Sequence, residues 1–165
     1  MRTIVLIAHN LRSTHNVGSL LRTAEGLGVG RVYLTGYTPY PQVSNDTRLP
    51  HEALKTHAKI QKTALGAETM IAVEHHDDVL GLLKHLKKEG YQICALEQDD
   101  RAMNLSDFNA GSKVALIVGR EVDGVEPEVL EMADAVIEIP MRGLKESFNV
   151  VQAAAMALYQ LSYVD

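Results

Sequence analysis

The stretch VIEIPMRGLKESFNVVQAAAMALYQL, Val136 to Leu161, decides how the chain folds. Val136, Ile137 and Ile139 around Glu138 read as a short strand, and Pro140 ends it because proline has no amide to give a sheet ladder. After a short loop, Ser147 is the expected N-cap of a helix, its hydroxyl accepting from an orphan amide of the first turn, and no breaker follows through Leu161. A surface helix of a small domain carries one apolar stripe, but Val150, Val151, the alanines 153–155 and 157, Met156, Leu158 and Leu161 nearly encircle this one. It is therefore expected to be covered on more than one side, in part by a second subunit.

Working outward, the same strand-to-helix alternation recurs. Thr3 to Ala8 (TIVLIA) is a continuous apolar run, as in a strand covered on both faces. His9 to Asn16 is polar and loop-like, and Val17, Leu20, Leu21, Ala24 and Leu27 then fall at helical spacing. Arg31–Leu34 reads as a strand, 35–50 with its three prolines as a long surface loop, His51–Leu65 as helix and Met70–Val73 as a short strand. Asp77–Glu89 reads as helix, Tyr91–Leu96 as strand, 97–111 as polar connection, Lys113–Val118 as strand and Glu126–Met132 as a short helix. The pattern predicts an α/β fold, a mostly parallel sheet flanked by helices, whose ligands sit beyond the carboxyl ends of the strands.

The 165 residues suit one domain, 1–165, with no second domain expected. The lone Cys94 lies in an apolar run and reads as a reduced core residue rather than a nucleophile. No signal-like leader and no apolar run of about 20 residues is present, so the expected place is the cytoplasm and no membrane is involved. The net charge of −5 runs against a protein that grips many phosphates, so any nucleic-acid surface has to be a local basic patch.

Three segments start at or just after predicted strand ends: Asn16-Val17-Gly18-Ser19 with Arg22, Gly119-Arg120-Glu121 with Gly124, and Ile139-Pro140-Met141 leading to Ser147-Phe148-Asn149. Singly, Asn16 reads as a helix cap, the glycines as turn residues and Pro140 as a strand terminator. Together they resemble the three motifs of the SpoU (TrmH-like) family of the SPOUT superfamily. Asn16, Gly18 and Arg22 match Asn-x-Gly-x-x-x-Arg; Gly119, Glu121 and Gly124 match Gly-x-Glu-x-x-Gly; Ile139, Pro140, Met141, Ser147 and Asn149 match Ile-Pro-Met followed by Ser-x-Asn. Phe148 departs from the leucine or methionine that the family often has there.

The resemblance implies an S-adenosylmethionine-dependent enzyme that methylates a ribose 2'-hydroxyl in RNA, tRNA before rRNA, working as a homodimer with a C-terminal deep trefoil knot. It implies Arg22, Asn16 and Glu121 as catalytic residues, and cofactor binding around Leu96, Gly119, Ile139, Met141, Ser147, Phe148 and Asn149, with Asn149 at the mouth. Arg12, Arg142 and Lys145 lie in loops flanking the motifs and are the expected RNA contacts. Arg22 has two open roles: a base activated by an unusual site, or a clamp on phosphate and developing alkoxide, which the high guanidinium pKa favours. Glu121 is expected to orient Arg22 or Asn16.

No metal is expected. His75-His76-Asp77-Asp78 invites a metal reading, yet adjacent side chains diverge and the string suits a strand-to-helix turn. Gly26 to Gly30 ends a helix and precedes a strand, the reverse of a dinucleotide fingerprint. His51 and His57 read as helix-surface residues. The competing readings are a non-catalytic RNA-binding member of the fold and an unrelated α/β nucleotide binder.

Overall fold

The computed structural model describes residues 2–164. Among them one seven-stranded sheet forms from β1 (Thr3–His9), β2 (Arg31–Thr35), β3 (Ala72–His76), β4 (Gln92–Leu96), β5 (Met103–Asn104), β6 (Lys113–Val118) and β7 (Ala135–Glu138). The order is β3-β2-β1-β6-β4-β7-β5 and every neighbouring pair is parallel. Six helices connect the strands: α1 (Thr14–Gly26), α2 (Pro50–Ala64), α3 (Ala67–Met70), α4 (Val79–Lys88), α5 (Pro127–Met132) and α6 (Val150–Tyr163).

The continuous apolar runs of β1 and β6 are the reason these strands lie at the centre, because a parallel strand buried on both faces needs apolar residues at every position. Leu6 and Ala8 face one side with Leu20, Leu21, Ile60 and Leu158 from α1, α2 and α6. Val5 and Ile7 face the other with Leu82, Leu83, Leu86 and Val129 from α4 and α5. α1 approaches α2 so closely that a Cβ on Gly18 would lie 2.1 Å from Thr63 Oγ1 and 2.3 Å from the Ile60 carbonyl oxygen. Gly18 therefore packs a helix pair. Cys94 is fully buried, and burial pushes its thiol up to about 12, the nearby Asp134 charge adding to the rise.

Several local expectations are corrected. α6 is capped by Asn149, whose Oδ1 accepts from the Val151 amide at 2.9 Å; Ser147 stays in an exposed irregular segment, because Asn149 is an equally good cap and lies directly before the apolar run. α1 begins at Thr14 rather than Val17, capped by Ser13, which accepts from the Asn16 amide at 3.1 Å, so Asn16 sits inside the first turn and is not the cap. The stretch 67–70 is a helical turn, and the strand beyond it runs Ala72–His76; as an edge strand with half-buried Glu74, His75 and His76 it carries no apolar signature. The polar connection 97–111 contains the two-residue edge strand β5 and a 3-10 turn, Leu105–Asp107, that buries Leu105.

Only one side of α6 is covered within the chain. Ala154, Ala157, Leu158 and Leu161 are buried, whereas Met156, Tyr159 and Tyr163 are 37%, 57% and 63% exposed. An open apolar groove along that outer side is lined by Leu105, Pro140, Ala155, Met156 and Tyr159.

Candidate functional site

The carboxyl ends of β1, β6, β4 and β7 face one edge of the sheet, and the three motif segments start there. Glu121, after β6, reaches across to the loop after β1. Its carboxylate accepts from the Arg12 amide at 3.3 Å, from the Ser13 amide at 3.2 Å and from Asn16 Nδ2 at 3.3 Å. Asn16 Oδ1 in turn accepts from Asn149 Nδ2 at 3.4 Å. Three segments, the first more than a hundred residues from the other two, are thus joined by one chain of side-chain hydrogen bonds, Glu121 to Asn16 to Asn149. Partial burial works to raise the Glu121 pKa, but the hydrogen bonds from its own amide, Ser13, Arg12 and Asn16 outweigh it and hold the carboxyl below its ordinary value. An ionised acceptor that holds amides is built to position the first motif rather than to take a proton.

Beside this chain lies a pocket of about 270 Å³. Leu96 from the end of β4, Gly119 from the end of β6 and Ile139 from the end of β7 line it, with Ser147, Phe148, Val150 and Ala153 closing it from α6 and the loop before it. The segment 119–124 folds back on itself: the amides of Arg120 and Gly124 donate to each other's carbonyls at 3.0 and 3.1 Å. Only glycines allow this. Gly124 takes a left-handed φ of 70°, and a Cβ on Gly119 would lie 2.4 Å from the Gly124 carbonyl carbon and oxygen. Glu97 Oε2 accepts from the Val125 amide at 2.7 Å and pins the far side of the same turn.

The lining fits S-adenosylmethionine in two respects. Leu96, Ile139, Phe148 and Val150 offer apolar surface to a flat base, and the carboxylates of Glu97, Glu121, Asp123, Glu138 and Glu146 favour a cationic sulfonium and ammonium. The glycine turn brings bare main chain to the pocket wall, where its amides and carbonyls can be read. Of the residues expected to bind cofactor, Leu96, Gly119, Ile139, Ser147 and Phe148 line the pocket; Met141 and Asn149 do not. Arg22 is exposed on α1, outside the pocket lining, and among the described residues no side-chain hydrogen bond or ion pair engages it, with Glu25 or with any other group. Arg12, Arg142 and Lys145, the expected RNA contacts, are exposed.

Sequence reasoning missed a buried polar cluster next to the pocket. His9 ends β1 and is 4% exposed, with Nδ1 2.8 Å from Thr35 Oγ1. Asn10 is also buried and adopts a left-handed φ of 55°. Its Nδ2 donates to His9 Nε2 at 3.1 Å and to Glu126 Oε1 at 2.8 Å, and its Oδ1 accepts from the Tyr37 amide at 3.1 Å. Glu126 also takes the guanidinium of Arg120. Burial lowers the His9 pKa, opposed by the neighbouring Glu126 carboxylate, and the hydrogen bond from Arg120 is the largest influence holding Glu126 low. The sequence signal was a histidine and an asparagine directly after a fully buried strand, a place where polar side chains must find partners.

The histidine string at the end of β3 is structural. His75 stacks on Tyr40 with centroids 3.9 Å apart and its Nε2 lies 3.0 Å from the Gly36 carbonyl, while Asp78 caps α4. Among the described residues no group of three or more metal-ligating side chains gathers, and no helix is long and apolar enough to cross a membrane. His51 is exposed on α2, whereas His57 is half-buried and its Nδ1 accepts from the Gln42 amide at 3.2 Å.

The chain is similar to known proteins along nearly its whole length. It is 29% identical over 160 residues to a tRNA (guanosine(18)-2'-O)-methyltransferase of Aquifex aeolicus, covering 96% of this chain and 68% of that protein. It is 28% identical over 157 residues to the enzyme of the same name from Escherichia coli K12, covering 95% and 62%. The chain therefore spans roughly two thirds of the length of these relatives. The crystal structure of the Aquifex aeolicus TrmH/SpoU tRNA modifying enzyme superposes with a TM-score of 0.80 at 25% identity, covering 98% of this chain and 75% of that one. An AdoMet-bound rRNA methyltransferase from Sinorhizobium meliloti shares the fold with a TM-score of 0.79 at 20% identity, covering 99% and 57%. The sequence profile of the SpoU rRNA Methylase family matches residues 3–159, nearly the whole chain, and the chain belongs to that family.

Proposed function

We propose that this chain is an S-adenosylmethionine-dependent methyltransferase that methylates a ribose 2'-hydroxyl in RNA, with tRNA as substrate. The observation that carries the reading is the Glu121–Asn16–Asn149 chain, which ties the three family motifs together beside a pocket suited to a cationic nucleoside. The names of the Aquifex and Escherichia relatives favour tRNA; the Sinorhizobium neighbour, an rRNA methyltransferase, keeps rRNA as the second reading.

When bound in the pocket, S-adenosylmethionine supplies an activated methyl on a sulfonium. The protein's own tasks are to hold a sugar hydroxyl in line with that methyl and to ease the loss of its proton. Asn16, fixed by Glu121 and Asn149, presents an amide at the pocket rim to orient the ribose. Arg22, with an unengaged planar guanidinium, clamps phosphate and stabilises the developing alkoxide. Arg12, Arg142 and Lys145 provide the local basic surface that the net charge of −5 does not.

The reading includes one methyltransferase domain, a cytoplasmic location, no metal, a trefoil knot behind α6 and a homodimer. The exposed Met156, Tyr159 and Tyr163 on α6 and the apolar groove beside them support the second copy. Arg22 lies outside its own chain's pocket, so the paired assembly is also where it would meet a reacting sugar. A mass measurement at micromolar concentration is expected to give twice the chain mass; monomer alone would remove the dimer. The decisive experiment is methyl transfer from labelled cofactor to RNA carrying a 2'-deoxy nucleotide at the target position. Transfer should vanish, and its persistence would mean base methylation.

A further inference from the structure

We infer that Arg120 is the docking point for a backbone phosphate of the RNA substrate, held in place from behind by the buried Asn10–Glu126 pair. The inference rests on the RNA methyltransferase reading and adds a residue that the motif match leaves without a role. Among the described residues Arg120 is the one cation that lines the pocket, against five carboxylates. A polyanion approaching that rim is repelled everywhere else on it, and the electrostatic cost is smallest where the guanidinium stands.

The side chain is prepared for a ligand. One terminal nitrogen is held by Glu126, and Glu126 is itself held by Asn10 Nδ2 at 2.8 Å. Asn10 is fixed by its left-handed backbone and by the Tyr37 amide, so the guanidinium cannot swing freely. Its remaining donors are underused. Nη1 has only a long contact to Asp123 at 3.5 Å, and Nε is buried with no hydrogen-bond partner among the described residues. Nε is closed to solvent, so Nη1 is the donor left for an incoming oxygen, and a phosphate oxygen is the acceptor that best matches a guanidinium. The side chain is 34% exposed, open enough for a phosphate to reach.

The test compares wild type, Arg120→Gln and Arg120→Lys with bulk tRNA as the probe. The quantities are RNA affinity across a salt series, S-adenosylmethionine affinity by calorimetry, and thermal unfolding. Arg120→Gln should weaken RNA binding about ten-fold and flatten the slope of log affinity against log salt by about 0.7–0.9, with cofactor affinity unchanged. Arg120→Lys keeps the charge and should keep the slope, while raising the KM for RNA several-fold through loss of the planar fork. If the Gln variant does not fold, the Lys variant alone decides: an unchanged KM overturns the inference. Unchanged slope and affinity in a folded Gln variant also overturn it, as does a loss confined to cofactor binding, which would assign the guanidinium to the methionine carboxylate. Wild type that binds tRNA but transfers no methyl would instead refute the proposed function and leave the docking result readable; wild type that binds no RNA refutes both.

Discussion

Replacing Glu121 by Gln tests whether the motif chain holds the site. The substitution keeps size and removes the charge; the amide oxygen can keep the Oε1 position that takes Ser13, Asn16 and Arg12, while the NH2 group faces the Arg12 amide, itself a donor. A hydrogen bond to a charged group contributes about 1.5–3 kcal/mol and one between neutral groups about 0.5–1.5 kcal/mol, so removing the charge costs roughly 1 kcal/mol per bond, and for three partly buried bonds of 3.2–3.3 Å the summed loss is about 2–3 kcal/mol. For a chain of this size that corresponds to a fall in Tm of about 5–10 °C. Because the folded Glu121 pKa lies below its unfolded value, the contribution is present above the unfolded value near 4.5 and is lost as pH falls through the folded one. Thermal melts of wild type and E121Q at neutral pH and near pH 3 therefore separate this role from generic damage: the gap between the two proteins should be full at neutral pH and shrink in acid. The same variant should lower kcat more than ten-fold with cofactor affinity nearly unchanged, since Asn16 loses its anchor while Leu96, Gly119 and Ile139 remain. A Tm gap that is equally large near pH 3, or wild-type turnover in E121Q, would refute the positioning argument.

Three further outcomes follow from the same geometry. Gly119→Ala puts a methyl 2.4 Å from the main chain of Gly124, so the turn must shift; a destabilisation of about 1–3 kcal/mol and at least a ten-fold weaker cofactor affinity are expected by melting and calorimetry. Arg22→Lys keeps the charge and loses the planar fork, and should lose most methyl transfer while binding cofactor normally; wild-type turnover would remove Arg22 from the mechanism. Burial lowers the His9 pKa, so stability begins to fall as pH drops below the unfolded value of about 6.5 and declines until the folded value is passed; His9→Gln should flatten the Tm-against-pH curve just below about pH 6.5, and an unchanged slope would show that His9 is not its source.

What the sequence made legible was whatever burial periodicity and local chemistry can encode. Lys113–Val118 was bounded at the right residues because a central parallel strand has no polar position to blur it, and Arg31–Thr35 came within one residue for the same reason. The edge strand β3 was misplaced because its half-buried residues, Glu74, His75 and His76, carry no such pattern. Ser147 and Asn149 are both good caps two residues apart, and local propensity alone does not choose between them. The candidate site divides in the same way. The motif residues lie where predicted strand ends place them, and their convergence was readable from topology. Their partners were not: nothing in the sequence pairs Glu121 with amides 108 and 109 residues away, and the apolar run before His9 and Asn10 hints that they are buried without saying which groups they meet.

That division bears on which residues carry the specificity of the site. The motif glycines and Glu121 shape main chain, Gly119 and Gly124 by letting a turn close on itself and Glu121 by holding the loop after β1, and such tasks recur whatever RNA is bound. Arg120, Asn10, His9 and Tyr37 form a second set, joined through Asn10 and Glu126 at the boundary between the acidic pocket and the loops after β1 and β2. A pocket rimmed by carboxylates attracts a cationic cofactor and repels a polyanion, so discrimination among RNAs has to come from the few cations and aromatic side chains at its edge. On the proposed function, the polar cluster is therefore the place to look for substrate choice, and the three motifs are the place to look for the reaction.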